Sequence, residues 1–194
     1  MDELPPYTAV VLAGGRAARL GGAAKPQLEV GGRTLLGAVL DAVADARARI
    51  AVGPPQPTAP GVVLVREEPP GGGPVAALRA GLAEVRTDVV AVLAGDLPFL
   101  TSAVVADLRR ALRADGVLVV DDDDRDQLLL GVWRTAPLRA AVADGPPALH
   151  RALRGLDVDR FRPRTVPGAP PPWVDCDTPE ELARAREVAD DRAG

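Results

Sequence analysis

The sequence predicts a three-layer α/β domain, a mostly parallel sheet with helices on both faces, and two of its features lead there. Short apolar runs that end in glycine, proline or aspartate alternate with segments of about ten to fifteen residues whose apolar positions recur at helical spacing. The apolar runs are also continuous rather than alternating, as strands buried on both faces require. Right-handed crossovers then cover the sheet on both sides in a Rossmann-like arrangement, and ligands bind outside the carboxyl ends of the strands, where strand order reverses.

Taken in order, "TAVVLA" (8–13) is a first buried strand, ended by Gly14 and Gly15. A glycine loop leads to "TLLGAVLDAVADARA", where Leu35, Leu36, Val39, Leu40 and Val43 share a helical face and Thr34 is the N-cap. "IAVG" and "VVLV" (62–65) are strands separated by the turn "PPQPTAP". "PVAALRAGLAEV" (74–85) is a helix with Pro74 in its first turn. "DVVAVLAGD" (88–96) is the clearest buried strand and delivers Asp96 at its end. "TSAVVADLRRALRA" is a capped helix, "GVLVVD" a strand, "DDDDRD" (121–126) a solvated hairpin turn and "QLLLGVW" the returning strand. "TAPLRAAVAD" and "PALHRALRGL" follow as helices, "WVDCD" as a last short strand, and "TPEELARAREVADD" as a last helix with a Thr178/Glu181 capping box.

The 194 residues suit a single domain, 1–194, able to bury roughly 70% of the surface its unfolded chain exposes. No internal repeat divides it, and "PGAPPP" (167–172) reads as a surface connector. A net charge of -4 with 3% aromatic residues argues against a nucleic-acid surface. No apolar run reaches the ~18 residues of a membrane span. The acidic start "MDELPPYT" lacks the features of a secretory signal, so a cytoplasmic protein is expected. One cysteine, Cys176, and one histidine, His150, exclude an internal disulfide and a zinc cluster, which leaves oxygen ligands for any metal. Cys176 reads as a small buried apolar residue and His150 as a helix-face residue. Lys25 is the only lysine among 23 basic residues, in a chain without asparagine, so it marks a place where a compact ammonium serves and a guanidinium does not.

That lysine closes "LAGGRAARLGGAAK", in which Gly14, Gly15, Gly21 and Gly22 bracket Arg16 and Arg19. The loop has neither the dinucleotide G-x-G-x-x-G nor the P-loop G-K-[ST] pattern. Free backbone amides and three cations at a strand's carboxyl end nevertheless suit a polyphosphate. Asp96, at a second strand end and followed by Pro98, can offer oxygen to Mg²⁺; alone it could equally be a turn aspartate. Of Asp175 and Asp177, one faces the site and the other caps the last helix, and the residues leave open which. The run 121–126 lacks the calcium-loop pattern.

"LAGGRAARLGGAAK", "REEPPGGGPVAAL", "GDLPFL" and "DCDTPEEL", in this order and spacing across residues 10–186, resemble the molybdenum cofactor guanylyltransferases of the MobA type, within the NTP transferase superfamily. The resemblance implies a nucleotidyltransferase fold and the transfer of GMP from Mg-GTP to the terminal phosphate of molybdopterin, with release of pyrophosphate. It implies that Leu12, Ala13, Gly14 and Gly15 lie against the nucleoside, that Arg19 and Lys25 hold the triphosphate, and that Glu67 or Glu68 contacts the nucleotide. Lys25, Arg19 and Asp96 would be catalytic. Asp96 would bind Mg²⁺, with Mn²⁺ as the alternative ion and Asp175 as second carboxylate, Asp177 being the alternative residue. The acceptor would lie against residues 127–133 and the loop at 160–172. Contact with molybdenum cofactor delivery proteins or molybdoenzymes, in a monomer or weak oligomer, follows from the same likeness. The L-A-G-G form is similar to the guanine-selecting version of the motif. This chain departs from the family in Ala24 where an aspartate often precedes the lysine, in Asp175-Cys176-Asp177 for Asn-x-Asn, and in the missing asparagine within "AVGPPQ". A CTP-using enzyme, a sugar- or alcohol-phosphate nucleotidyltransferase and a non-catalytic nucleotide-binding relative are the alternative readings.

Overall fold

The computed structural model describes residues 4–14, 19–20, 23–164 and 167–192. Its centre is a seven-stranded sheet of β1 (Tyr7–Leu12), β6 (Ala48–Val52), β7 (Val62–Val65), β8 (Val89–Ala94), β9 (Gly116–Val120), β10 (Asp126–Arg134) and β11 (Val158–Phe161), in the order β11-β9-β10-β8-β1-β6-β7. Only β10 runs against its neighbours β8 and β9; the remaining adjacent pairs are parallel. Two small hairpins lie outside the sheet, β2 (Arg19–Leu20) with β3 (Ala23–Ala24) and β4 (Glu29–Val30) with β5 (Arg33–Thr34).

All six residues of β1 are buried, and the pleat sends them to two cores. Tyr7, Ala9 and Val11 pack with Leu36, Val39 and Leu40 of α1 (Leu35–Ala42) and with Val105 and Leu108 of α3 (Ser102–Ala111). Val10 and Leu12 pack on the other side with Leu78 and Leu82 of α2 (Pro74–Glu84), Leu138 of α4 (Thr135–Ala143) and Leu149 of α5 (Leu149–Ala152). This is the three-layer arrangement expected. α6 (Pro179–Asp191) closes a third, smaller cluster in which Leu182 and Ala185 meet Val30, Leu35 and Cys176. Its N-terminus has the expected box: Glu181 N–H donates to Thr178 Oγ1 at 3.1 Å, and Thr178 N–H to Glu181 Oε2 at 2.8 Å.

Three expectations need correction. The first helix ends at Ala42, because Arg47 N–H must reach Tyr7 O (2.9 Å) for β6 to start alongside β1. "PALHRALRGL" makes one α-turn and a 3₁₀ turn (Leu153–Gly155) rather than a full helix. "WVDCD" is no strand, since residues 174–177 have no regular structure and Cys176 is buried against α6 instead of the sheet. The seventh strand is "VDRF", β11, whose two exposed charged residues, Asp159 and Arg160, hid it among loop residues. Charge holds it in place, Arg160 Nε donating to Asp126 Oδ1 at 2.8 Å.

Candidate active site

β1 is the switch point of the sheet: the chain runs from it outward through β6 and β7, then returns through α2 to β8 on its other flank. A crevice opens beyond the carboxyl ends of β1 and β8, which stay paired through Leu12 and Ala94. Ala13 leaves β1 between two backbone neighbours. Its N–H donates to Val52 O at 2.8 Å, while Gly95 N–H donates to Leu12 O at 2.9 Å. Glycine is required on both sides, because a Cβ on Gly53 would sit 2.8 Å from Ala13 O and one on Gly95 3.0 Å from Leu12 O.

A pair of glutamines, which the motif reading did not find, extends this frame. Gln56 Nε2 donates to Ala13 O at 3.2 Å, and Gln27 Nε2 donates to Gln56 Oε1 at 3.1 Å and to Pro57 O at 3.2 Å. Gln27 ends the 3₁₀ turn Lys25–Gln27, so the relay fastens the lysine-bearing turn to the first loop. The sequence signal was the motif's missing asparagine beside Gln56.

Lys25 is buried at 6% exposure, although it is the chain's only lysine. Its Nζ lies 2.5 Å from Asp96 Oδ2, just beyond β8, and also donates to Asp177 Oδ1. Burial pulls the ammonium's pKa down, but Asp177 and Asp96 outweigh it and the net shift is upward. Asp175, one residue before the buried Cys176, is pushed up to about 6 by burial and by Asp177, Asp96 and Glu181, with Lys25 acting in the opposite sense. Burial, joined by the nearby carboxylates, raises the Cys176 thiol to about 11.

A cavity of about 870 Å³ joins these groups, with Leu12, Ala13, Gly14, Lys25, Glu67, Asp96, Asp175 and Asp177 in its wall. The expected division of labour between the two late aspartates fails: both line the cavity, and Thr178 caps α6. Of the two glutamates, Glu67 is buried in the wall, and Glu68 is exposed. Glu67 Oε1 accepts from Gly71 N–H at 3.0 Å; its Oε2 is enclosed and has no partner among the described residues. Gly71 and Gly73 adopt φ of 75° and 87°, conformations that L side chains rarely take, which gives "GGGP" its place beside the cavity. Gly15, Arg16, Gly21, Gly22 and the side chain of Arg19 lie outside the described residues; the Arg19 backbone pairs with Ala24.

A second cavity of about 710 Å³ shares Gln127 and Asp175 with the first and is walled by the 121–125 turn, Gly168–Pro171, Trp173 and α6. The residues expected to face an acceptor therefore divide. Gln127 reaches both cavities, Leu128–Leu130 line the first, and Trp133 is fully buried in the core. The 121–126 turn is not wholly solvated: Asp121 is buried and accepts from Asp123 N–H, Arg125 N–H and Gln127 Nε2 at 2.8–2.9 Å. His150 is exposed on α5.

Among the described residues no three histidine, cysteine or carboxylate side chains converge as a complete metal cage. Asp96 and Asp177, with Asp175 beside them, supply hard oxygen donors for one face of an ion. That fits Mg²⁺, which keeps water and phosphate oxygens as its other ligands.

Residues 9–160 match the family of MobA-like NTP transferase domains. A molybdenum cofactor guanylyltransferase of Rhodopseudomonas palustris (strain BisB5) is 36% identical over 97% of this chain and 97% of its own length. Among solved structures, molybdopterin-guanine dinucleotide biosynthesis protein A from Archaeoglobus fulgidus superposes with a TM-score of 0.71 at 19% identity, covering 95% of this chain and 99% of that one. A nucleotidyl transferase from Methanothermobacter superposes with a TM-score of 0.76 at 18% identity, covering 97% and 99%.

Proposed function

Since the chain belongs to the MobA-like NTP transferase family, we propose that it transfers GMP from GTP to the terminal phosphate of the molybdenum cofactor and releases pyrophosphate. The observation that carries the guanylyl reading is Glu67 in the cavity wall, whose Oε2 has no donor among the described residues. An ionised carboxylate only accepts hydrogen bonds. Guanine offers adjacent N–H donors at N1 and N2 on one edge, and with a small adjustment of the Gly71–Gly73 turn they would satisfy that oxygen; cytosine presents no such pair.

In the reaction an oxygen of the acceptor phosphate forms a bond to the α-phosphorus of GTP while the bond to the bridging oxygen of the β-phosphate breaks. The attacking oxygen of a phosphate monoester is already anionic near neutral pH, so no general base is required. Leu12, Ala13 and Gly14 carry the nucleoside and Lys25 holds the triphosphate; the motif alone assigns Gly15 to the nucleoside and Arg19 to the triphosphate. Catalysis rests on this positioning and on charge neutralisation in a site partly closed to water. Asp96, with Asp177 or Asp175, would hold Mg²⁺ or Mn²⁺, which when bound neutralises charge on the phosphate oxygens. The second cavity suits the acceptor, because it adjoins the first at Gln127 and Asp175, and Arg125 and Arg184 in its wall offer cations to the acceptor's phosphate. Cytoplasmic residence, and contact with proteins that deliver or receive the cofactor, belong to the same reading. No helix among the described residues is long and apolar enough to cross a membrane.

Isothermal titration of GTP, CTP and ATP with Mg²⁺, followed by pyrophosphate detection on adding the acceptor, tests this function. Selective GTP binding with pyrophosphate release is the expected result. Selective CTP binding would overturn the guanylyl reading, and nucleotide binding without turnover would indicate a non-catalytic relative.

A further inference from the structure

The arrangement of Lys25 has a consequence for how the metal arrives. Its ammonium is buried and contacts Asp96 and Asp177 together, and among the described residues each of these carboxylates has Lys25 as its sole ion-pair partner. A Mg²⁺ ion binds carboxylate oxygen at about 2.0–2.1 Å. An ammonium already 2.5 Å from Asp96 Oδ2 then leaves no room for the ion and its hydration water on the same face, and two cations at that separation repel strongly. The same ammonium is needed by the triphosphate. We propose that Lys25 is a stand-in cation that occupies the metal-binding carboxylates of the nucleotide-free protein and gives them up when a triphosphate claims it, so that metal binds together with nucleotide and poorly without it.

This rests on the reading of Asp96 and Asp177 as metal ligands. It extends that reading by giving one side chain two successive partners. Lysine suits the exchange better than arginine, because a compact ammonium on a flexible stem can swing from carboxylate to phosphate without giving up a bidentate fork.

The experiment is a Mn²⁺ titration followed by electron paramagnetic resonance, without nucleotide, on the full chain and on Lys25→Met. The substituted protein is expected to bind Mn²⁺ at least about ten-fold more tightly. Equal or weaker Mn²⁺ binding by Lys25→Met overturns the proposal while leaving the metal ligands standing. If Asp96→Asn added to Lys25→Met leaves Mn²⁺ binding unchanged, the ligand assignment itself fails and the proposal with it.

A second measurement needs no substitution. Because the chain has one lysine, selective ¹⁵Nζ-lysine labelling gives a single ammonium signal. GTP with Mg²⁺ should move that signal, and Mg²⁺ alone at the same concentration should leave it in place. Displacement by Mg²⁺ alone at that concentration overturns the proposal.

Discussion

Gln56 donates its side-chain amide to the main-chain carbonyl of Ala13 at 3.2 Å, tying the segment after β6 to the first residue beyond β1. In a chain without asparagine, this glutamine provides a side-chain amide at Ala13, in the wall of the larger cavity. Gln56→Ala should therefore raise KM for GTP by roughly three- to ten-fold and leave kcat within about two-fold, the effect of about one lost hydrogen bond. Gln56→Glu should be worse than Gln56→Ala, because a carboxylate has no donor for Ala13 O. Steady-state kinetics of the two variants checks this, and equal KM values for them would remove the role.

Removal of the central charges should spare the fold and stop the chemistry. Lys25→Ala and Asp96→Asn are each expected to lower turnover by about 10²- to 10³-fold. Far-ultraviolet circular dichroism should stay that of the parent, since neither residue belongs to the two sheet cores. Parent-like turnover in Lys25→Ala would refute the assignment of the loop.

On the proposed reading, Glu67 sets base choice. Glu67→Gln keeps an acceptor for Gly71 N–H but presents an amide where the enclosed oxygen stood, so it should lose GTP affinity by about ten-fold or more and leave CTP affinity unchanged. Calorimetric titration of both nucleotides reads the ratio. An equal loss for both would make Glu67 a structural residue only.

Acid should act on the β9–β10 turn. Asp121 accepts hydrogen bonds from the Arg125 amide, the Gln127 side chain and the Asp123 amide, and these hold its carboxyl below the usual range although burial pushes the other way. A depressed folded pKa means that the unfolded chain binds the proton more readily. The stabilisation is present in full above the ordinary aspartate pKa of about 4 and is lost as pH falls below it. Melting temperatures of the parent and Asp121→Asn should differ at pH 7 and converge on acidification below about pH 4. A difference independent of pH would show that the charge is irrelevant.

The sheet was legible because its inner strands are buried on both faces, and a continuous apolar run such as "DVVAVLAGD" has few other ways to fold. The cradle at Gly14 and the strand-end Asp96 were legible for a related reason, since polar and glycine residues at the end of such a run mark the crevice edge. β11 was not, because "VDRF" has two charged residues at its centre and is held through Arg160 by Asp126 of the neighbouring hairpin, and no local pattern records that partner. The roles of Asp175 and Asp177 were likewise beyond local reading. A threonine could already cap α6, which freed both aspartates for the cavity, and only the tertiary approach of Lys25 distinguishes one of them.

The lysine and its second carboxylate are separated by 152 positions in the chain. At the usual elongation rate of about 5–20 residues per second, a ribosome needs on the order of ten to thirty seconds to deliver the second after the first. Throughout that interval the emerging polypeptide can form β1 and its loop, yet it lacks half of the ion pair that completes the site. The nascent chain therefore passes through synthesis without the Lys25–Asp177 contact, and acquires it only when the segment leading into α6 has docked.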